Sequence, residues 1–233
     1  MSDYVGDNRW IPKGESTDEA NKLIWSTKSI NELMLALDRG YRPQVPMPFY
    51  EGKQFLRRGN IVFEYTEEEI AELAKCANDI VYFAETYAVV MTDEGIQKVK
   101  LRDYQKDLLR SFQDNRFNIV LASRQMGKTV TASIFNAWYL TFNYDKTTLL
   151  LANKSESTKE IIDKAKVVIE NLPYFMKPGI IKYDVMNVRS DNGCRLVGQS
   201  TTAKSGIGFT IHNLYLDEFA HVHPTIVDSF YEN

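Results

Sequence analysis

Cysteine is scarce in this chain. Cys76 and Cys194 are its two thiols among 233 residues, with no metal-type spacing. That excludes a disulfide framework and a cysteine-built zinc site, and it suits reduced thiols in a cytosol-like compartment. Excess positive charge is missing too. Lys and Arg total 28 against 31 Asp and Glu, for a net charge of −3, so no global basic field advertises nucleic acid, and any such surface must be local or supplied by other chains. No apolar run approaches membrane-spanning length, and the polar N-terminus does not read as a signal peptide, so no membrane is expected as a partner. There is no internal repeat and no low-complexity tract. Histidine is also sparse: His221 and His223 alternate near the C-terminus, but no third soft ligand lies close, which argues against zinc there.

What is present is an ordinary globular composition, 44% hydrophobic and 25% charged, with plentiful Tyr and Phe. It supports one good core, or one core with an appendage. Residues 1–65 read as an irregular N-terminal arm. Pro43, Pro46 and Pro48 favour extended chain, residues 29–37 alone look helical, and Arg57-Arg58-Gly59-Asn60 looks like a turn. The pattern changes at Thr66. Thr66-Glu67-Glu68-Glu69 is a capping box, and apolar residues then recur at helical spacing to about residue 87, predicting one helix of about five turns. Residues 99–101 fit a short edge strand and a further helix begins at Arg102.

Residues 122–129 carry the chemistry. They read Ala-Ser-Arg-Gln-Met-Gly-Lys-Thr, a phosphate-binding loop with alanine at its first glycine position. In such a loop the backbone N–H groups of Ser123 to Thr129 wrap a nucleotide's phosphates. Lys128 reaches the β- and γ-phosphates, and the Thr129 hydroxyl holds Mg²⁺. The flanks fit: Phe117-Asn118-Ile119-Val120-Leu121 reads as a buried strand, and residues 130–140 are helix-compatible with their N-terminus toward the phosphates.

Further strands are expected at 147–152, 180–183, 187–190, 195–199 and 212–216. Ser155 is expected to cap a helix to about residue 172, Asp191-Asn192-Gly193 to form a hairpin turn, and Gly206 and Gly208 to mark a loop. Strands alternating with helices predict a largely parallel α/β sheet with helices on both faces. Leu214-Tyr215-Leu216 ends in Asp217-Glu218, 89 residues after Lys128. In a parallel sheet the carboxyl ends of the strands share one rim with the phosphate loop. Asp217 would then reach the Thr129-bound Mg²⁺, and Glu218 would orient and deprotonate a water near the γ-phosphate. Adjacent acids suit ATP hydrolysis coupled to mechanical work.

Other residues have two readings each. Arg124 is placed either to touch the γ-phosphate or to form a structural ion pair. Gln105, preceded by Tyr104, lies where ATP motors often place an adenine-reading amide, or is a helix-surface glutamine. Lys98, Lys100, Arg102 and Lys106 form a solvated basic face or a DNA-backbone contact.

Several stretches in order resemble the large terminase subunit of T4-like tailed phages: Asn78-Asp79-Ile80-Val81-Tyr82-Phe83-Ala84-Glu85-Thr86-Tyr87, Leu101-Arg102-Asp103-Tyr104-Gln105, Ser123-Arg124-Gln125-Met126-Gly127-Lys128-Thr129, and Asp217-Glu218. The similarity covers roughly residues 66–220. The resemblance implies a P-loop NTPase fold of the RecA-like kind over residues 66–233 and the ATPase of a viral DNA-packaging motor, using ATP and Mg²⁺ in the host cytoplasm. The implied partners are double-stranded DNA, the portal protein, a small terminase subunit and further copies in a ring. It places Gln105 at the adenine-contacting glutamine, Lys128 and Thr129 at the phosphate and Mg²⁺ positions, Arg124 at a loop arginine acting in cis, and Asp217 and Glu218 at the metal and catalytic acids.

Two departures stand out. Where many family members carry a trans-acting arginine, this chain reads Ala203-Lys204-Ser205-Gly206, and a Lys204 ammonium lacks the bidentate fork. The sequence also stops at Asn233, before the Thr-rich coupling strand and the RNase H-like nuclease that the family carries. The expectation is therefore a split-gene product or a truncated version, with the nuclease on another chain, weak ATP binding and slow turnover. A helicase-like or DNA-repair ATPase, and a non-catalytic nucleotide-binding assembly module, remain the alternatives.

Overall fold

The computed structural model describes residues 48–123, 125–201 and 210–218. The helix expected at 29–37, Arg124, Lys204, the loop at Gly206 and Gly208, and the His221/His223 pair lie outside them. In chain order the described elements are α1 (Glu67–Asn78), α2 (Ile80–Tyr87), a hairpin of β1 (Val89–Thr92) and β2 (Gly95–Lys98), α3 (Asp103–Asp114), α4 (Lys128–Phe142), β3 (Thr147–Ala152), α5 (Ser155–Asn171), β4 (Ile180–Asp184), β5 (Asn187–Ser190), β6 (Arg195–Ser200) and β7 (Asn213–Asp217).

The capping box forms as the sequence requires. Glu69 N–H donates to Thr66 Oγ1 at 3.2 Å, and Thr66 N–H donates to Glu69 Oε2 at 3.0 Å. The single long helix does not. Asp79 leaves helical geometry (φ −131°, ψ 99°), and its Oδ1 accepts from the N–H groups of Val81 and Tyr82 at 2.9 and 3.0 Å, so it caps a second helix. An Asp satisfying two orphan N–H groups of a new helix competes with continuation of the old one, which apolar spacing alone does not reveal. The short edge strand expected at 99–101 is displaced upstream. Residues 89–98 form a two-stranded antiparallel hairpin, turning at Asp93-Glu94.

The main sheet has the order β4-β5-β6-β3-β7. β3 pairs in parallel with β6 and β7, whereas β4–β5 and β5–β6 are antiparallel, so the expected mostly parallel sheet is a mixed one. The reason is local: residues 180–200 fold as a meander of short strands, and tight turns such as the one at Asp191-Asn192-Gly193 can join only antiparallel neighbours.

Helices on both faces are not seen among the described residues. Leu150, Leu196 and Val188 join one large core with the buried side chains of all five helices, including Ile134, Trp138, Ile161 and Ile169. Leu149, Leu151 and Val197 point into a separate small cluster with Ile211 and Leu216, to which no described helix contributes. Alternate residues of β3 thus enter different cores, as the two-residue strand period demands.

The helices are also tied by polar bonds: Trp138 Nε1–H donates to the Cys76 carbonyl at 2.8 Å, and Ser133 Oγ–H to the Ile161 carbonyl at 3.0 Å. Residues 48–60 close the far sheet edge. Ile180 N–H donates to the Arg57 carbonyl at 2.8 Å, and Gly59 N–H donates to the Ile180 carbonyl at 2.9 Å. No helix among the described residues is long and apolar enough to cross a membrane.

Candidate active site

The phosphate-type loop leads directly into α4. Gln125 and Gly127 both have left-handed backbones, at φ 61° and φ 70°. Left-handed residues within a turn curl successive N–H groups toward one side, the geometry of an anion-binding nest. Gly127 is demanded twice over. Its φ disfavours a side chain, and a Cβ there would lie 2.7 Å from Gln105 Nε2.

Gly127 is also the N-cap of α4 and carries no side-chain capping bond, and the first turn holds no acid. A 15-residue helix therefore presents its positive end at the loop without an internal anion. Lys128 is its first residue, and its Nζ donates across the loop to the Ala122 carbonyl at 3.0 Å. Thr129 follows one position on, its carbonyl 2.7 Å from Ser133 Oγ, whose one proton is shared between that carbonyl and Ile161's. Ser123 is exposed.

The strand expected to feed this loop is absent. Residues 117–121 form no strand; Phe117 is 81% exposed, and Ile119 and Leu121 are fully exposed. Apolar, β-branched composition supplies a tendency only, and a strand needs a neighbour to hydrogen-bond with. Among the described residues none pairs with it.

Asp217 ends β7, paired with Ala152 at the end of β3. Burial raises its carboxyl above the usual aspartate range; Glu218 adds repulsion, Lys128 pulls the other way, and Glu160 adds a further small increase. Those influences place Asp217 in one electrostatic neighbourhood with the loop lysine, although the two are 89 residues apart in sequence. Glu218 is exposed and holds a left-handed backbone, φ 50°, where no glycine relieves it. Non-glycine residues in that region cost on the order of 1–2 kcal/mol, and such strain gathers where a side chain must be aimed.

Tyr104 and Gln105 sit at the start of α3 and face the loop from the other side. Tyr104 OH donates to the Met126 carbonyl at 2.9 Å. Gln105 is 7% exposed and its amide is engaged at both ends: Oε1 accepts from Arg102 N–H at 3.0 Å and Nε2 donates to Thr131 Oγ1 at 3.3 Å. Thr131 Oγ1–H in turn donates to the Gly127 carbonyl at 3.1 Å. Arg102, Thr131 and Glu160 were not singled out as site residues by the sequence. The Arg-x-x-Gln spacing at the start of α3 is the one signal that points to the first, since residue i+3 of a helix start reaches back to the N-cap N–H.

Both thiols lie outside this chemistry. Burial pushes the Cys76 thiol up to about 12, helped by Glu72, and burial raises Cys194 as well, so neither is a poised nucleophile.

The donors present suit a hard divalent cation. The Thr129 hydroxyl and the Asp217 carboxylate are oxygen ligands of the kind Mg²⁺ takes alongside substrate phosphates and water. The described residues set a left-handed turn at a helix N-terminus with a lysine as the helix's first residue, and two acids at the end of β7.

Compared with known families, residues 119–227 match the model described as terminase large subunit, T4likevirus-type, N-terminal. The match begins inside the segment that enters the loop, takes in α4, β3, α5 and the main sheet, and runs past Glu218.

Proposed function

We propose, from the match of residues 119–227 to the T4likevirus-type terminase large subunit family model, that this chain is the ATP-hydrolysing P-loop core of a viral DNA-packaging motor. The supporting observation is the left-handed turn at Gln125 and Gly127 that leads into α4 with Lys128 as its first residue; Asp217, ending β7, feels the charge of that lysine. In this reading the N–H groups from Ser123 to Thr129 cradle the phosphates, and Lys128 exchanges the Ala122 carbonyl for phosphate oxygens. Thr129 and Asp217 would hold Mg²⁺, which would supply positive charge against the negative charge developing on the phosphates. Glu218 orients a water for in-line attack on the γ-phosphorus and takes its proton. The strained backbone of Glu218 fits a carboxylate aimed at one point. Arg124 is assigned to the γ-phosphate on the family resemblance.

Double-stranded DNA, the portal, a small terminase subunit and further copies of the chain in a ring are the partners this function requires. The host cytoplasm is where such a machine works. The exposed 117–121 segment favours a second reading for the chain by itself, nucleotide binding without efficient turnover, because the element entering the loop has no strand neighbour among the described residues.

Titration with a fluorescent ATP analogue, with and without Mg²⁺, followed by a phosphate-release assay, tests both readings. Lys128→Ala should weaken binding by about 10- to 100-fold, as expected for loss of charged hydrogen bonds. Glu218→Gln should keep binding and lower any turnover by about 10²- to 10⁴-fold. Asp217→Asn should remove the Mg²⁺ dependence. Binding unchanged in Lys128→Ala sinks the phosphate-loop assignment, and turnover that survives Glu218→Gln sinks the assignment of the base.

A further inference from the structure

The contact between α3 and the loop has a consequence for the loop's own backbone. The Tyr104 phenol is used at both ends: its OH donates to the Met126 carbonyl at 2.9 Å and its oxygen accepts from Arg102 Nη1 at 3.3 Å. The peptide that joins Met126 to Gly127 is trans, as no cis peptide occurs among the described residues. In a planar trans peptide the C=O and the next N–H point in opposite directions. Fixing the Met126 carbonyl on Tyr104 therefore turns the Gly127 N–H away from α3. Gln105 packs against Gly127 from the same side, close enough to exclude a Cβ, and its Thr131 partner holds the Gly127 carbonyl. The Gly127 carbonyl belongs to α4's own ladder, accepting from Thr131 N–H at 3.0 Å, so the influence of α3 falls on the Gly127 N–H.

We infer that Tyr104 is a positioning residue for phosphate binding: through the Met126 carbonyl it aims the Gly127 N–H at the phosphates, and α3 acts on the loop backbone rather than on the base. The inference rests on the phosphate-loop reading above. It differs from the placement of Tyr104 and Gln105 at the nucleotide base, because the Gln105 amide already serves Arg102 and Thr131. The ligand class that reports it is a polyphosphate with no base at all.

The test compares ATP with inorganic tripolyphosphate, each competing against a fluorescent ATP analogue on the full chain. Tyr104→Phe keeps the ring and removes the hydroxyl. One hydrogen bond of this kind is worth about three- to ten-fold in affinity, and Tyr104→Phe should lose that factor equally for ATP and for tripolyphosphate. In ¹⁵N-labelled protein, the shift of the Gly127 amide on adding tripolyphosphate should shrink in the variant, while the melting curve stays that of the parent.

A loss for ATP with tripolyphosphate unaffected would put the hydroxyl on the base and overturn the inference. So would unchanged affinity for both. Lys128→Ala separates the two levels of the argument. If tripolyphosphate binding by the parent does not depend on Lys128, the phosphate-loop reading fails and the role of Tyr104 falls with it; if it depends on Lys128 but not on the Tyr104 hydroxyl, only the positioning role fails.

Discussion

Two apolar runs of similar chemistry end in opposite places. In β3 (Thr147–Ala152) every residue from Thr148 onward is buried, with Leu149 and Leu150 wholly so. In residues 117–121, Phe117, Ile119 and Leu121 face water. Composition does not separate them; neighbours do. β3 lies between β6 and β7, bonded along both edges, with cores above and below. The 117–121 run has no pairing strand among the described residues, so its backbone gains nothing from extension. A strand is thus a property of a sheet position more than of the residues that occupy it. The same contrast divides the molecule into a closed body, built on β3 to β6 with α4 and α5, and an open rim that carries the loop, Asp217 and Glu218. The proposed site lies at the open side.

The largest test of that contrast is a matched truncation in the two runs. Leu150→Ala empties a fully buried site and should cost about 3–5 kcal/mol in urea unfolding, the range for large-to-small changes in a packed core. Ile119→Ala should change stability by less than about 0.5 kcal/mol. A cost above about 1.5 kcal/mol at Ile119 would mean that the segment is buried in solution and that the contrast is wrong.

A second test concerns how tightly the body is closed. Lys177 is buried where residues 48–60 dock, and its Nζ donates to the Phe55 and Glu170 carbonyls at 2.8 and 2.7 Å. Burial pushes its pKa down from the ordinary 10.5 to about 8, with Glu170 opposing. Between those two values the unfolded chain holds a proton that the folded chain has released. The contribution of this group to stability should therefore rise with pH above 8, by at most about 1.4 kcal/mol per pH unit. Below pH 8 the cost of the buried charge is present in full. Relative to the parent, Lys177→Met should lower the slope measured between pH 8 and 9, where an ordinary tyrosine is still about nine-tenths protonated. The slope is the readout, because Met also strands two carbonyls and lowers stability at every pH. An unchanged slope would mean that this ammonium is solvated and the docking loose.

Much of the body was legible in the sequence. Thr147–Ala152 emerged as a strand because a short, continuous apolar run bounded by turn residues has few other fates. β4 to β7 fell within a residue or two of their expected bounds. The loop was legible because Gly-Lys-Thr after a left-handed turn leaves one backbone solution, and Gly127 takes it. Legibility failed where a distant partner decides the outcome. The fate of 117–121 depends on a neighbouring strand, the break at Asp79 on a side chain's choice between two helices, and the mixed sheet on how residues 180–200 turn back on themselves. Within the site, sequence order alone joined the loop to Asp217. The engagement of Gln105 with Thr131 was not readable, because it needs the packing of α3 against α4.

The smallest test bears on the rim. If Glu218 holds its left-handed backbone against an energetic preference, glycine there should relieve what alanine cannot. Both substitutions remove the carboxylate and its repulsion of Asp217, so their difference isolates the backbone. The left-handed conformation costs a non-glycine residue about 1–2 kcal/mol, while glycine loses about 0.5–1 kcal/mol more than alanine through the freedom of its unfolded chain. Glu218→Gly should therefore exceed Glu218→Ala by up to about 1 kcal/mol in urea unfolding, and both should lack turnover. Alanine the more stable would mean that the rim relaxes in solution. Glu218 would then be an ordinary strand-end acid rather than one held in place for a task.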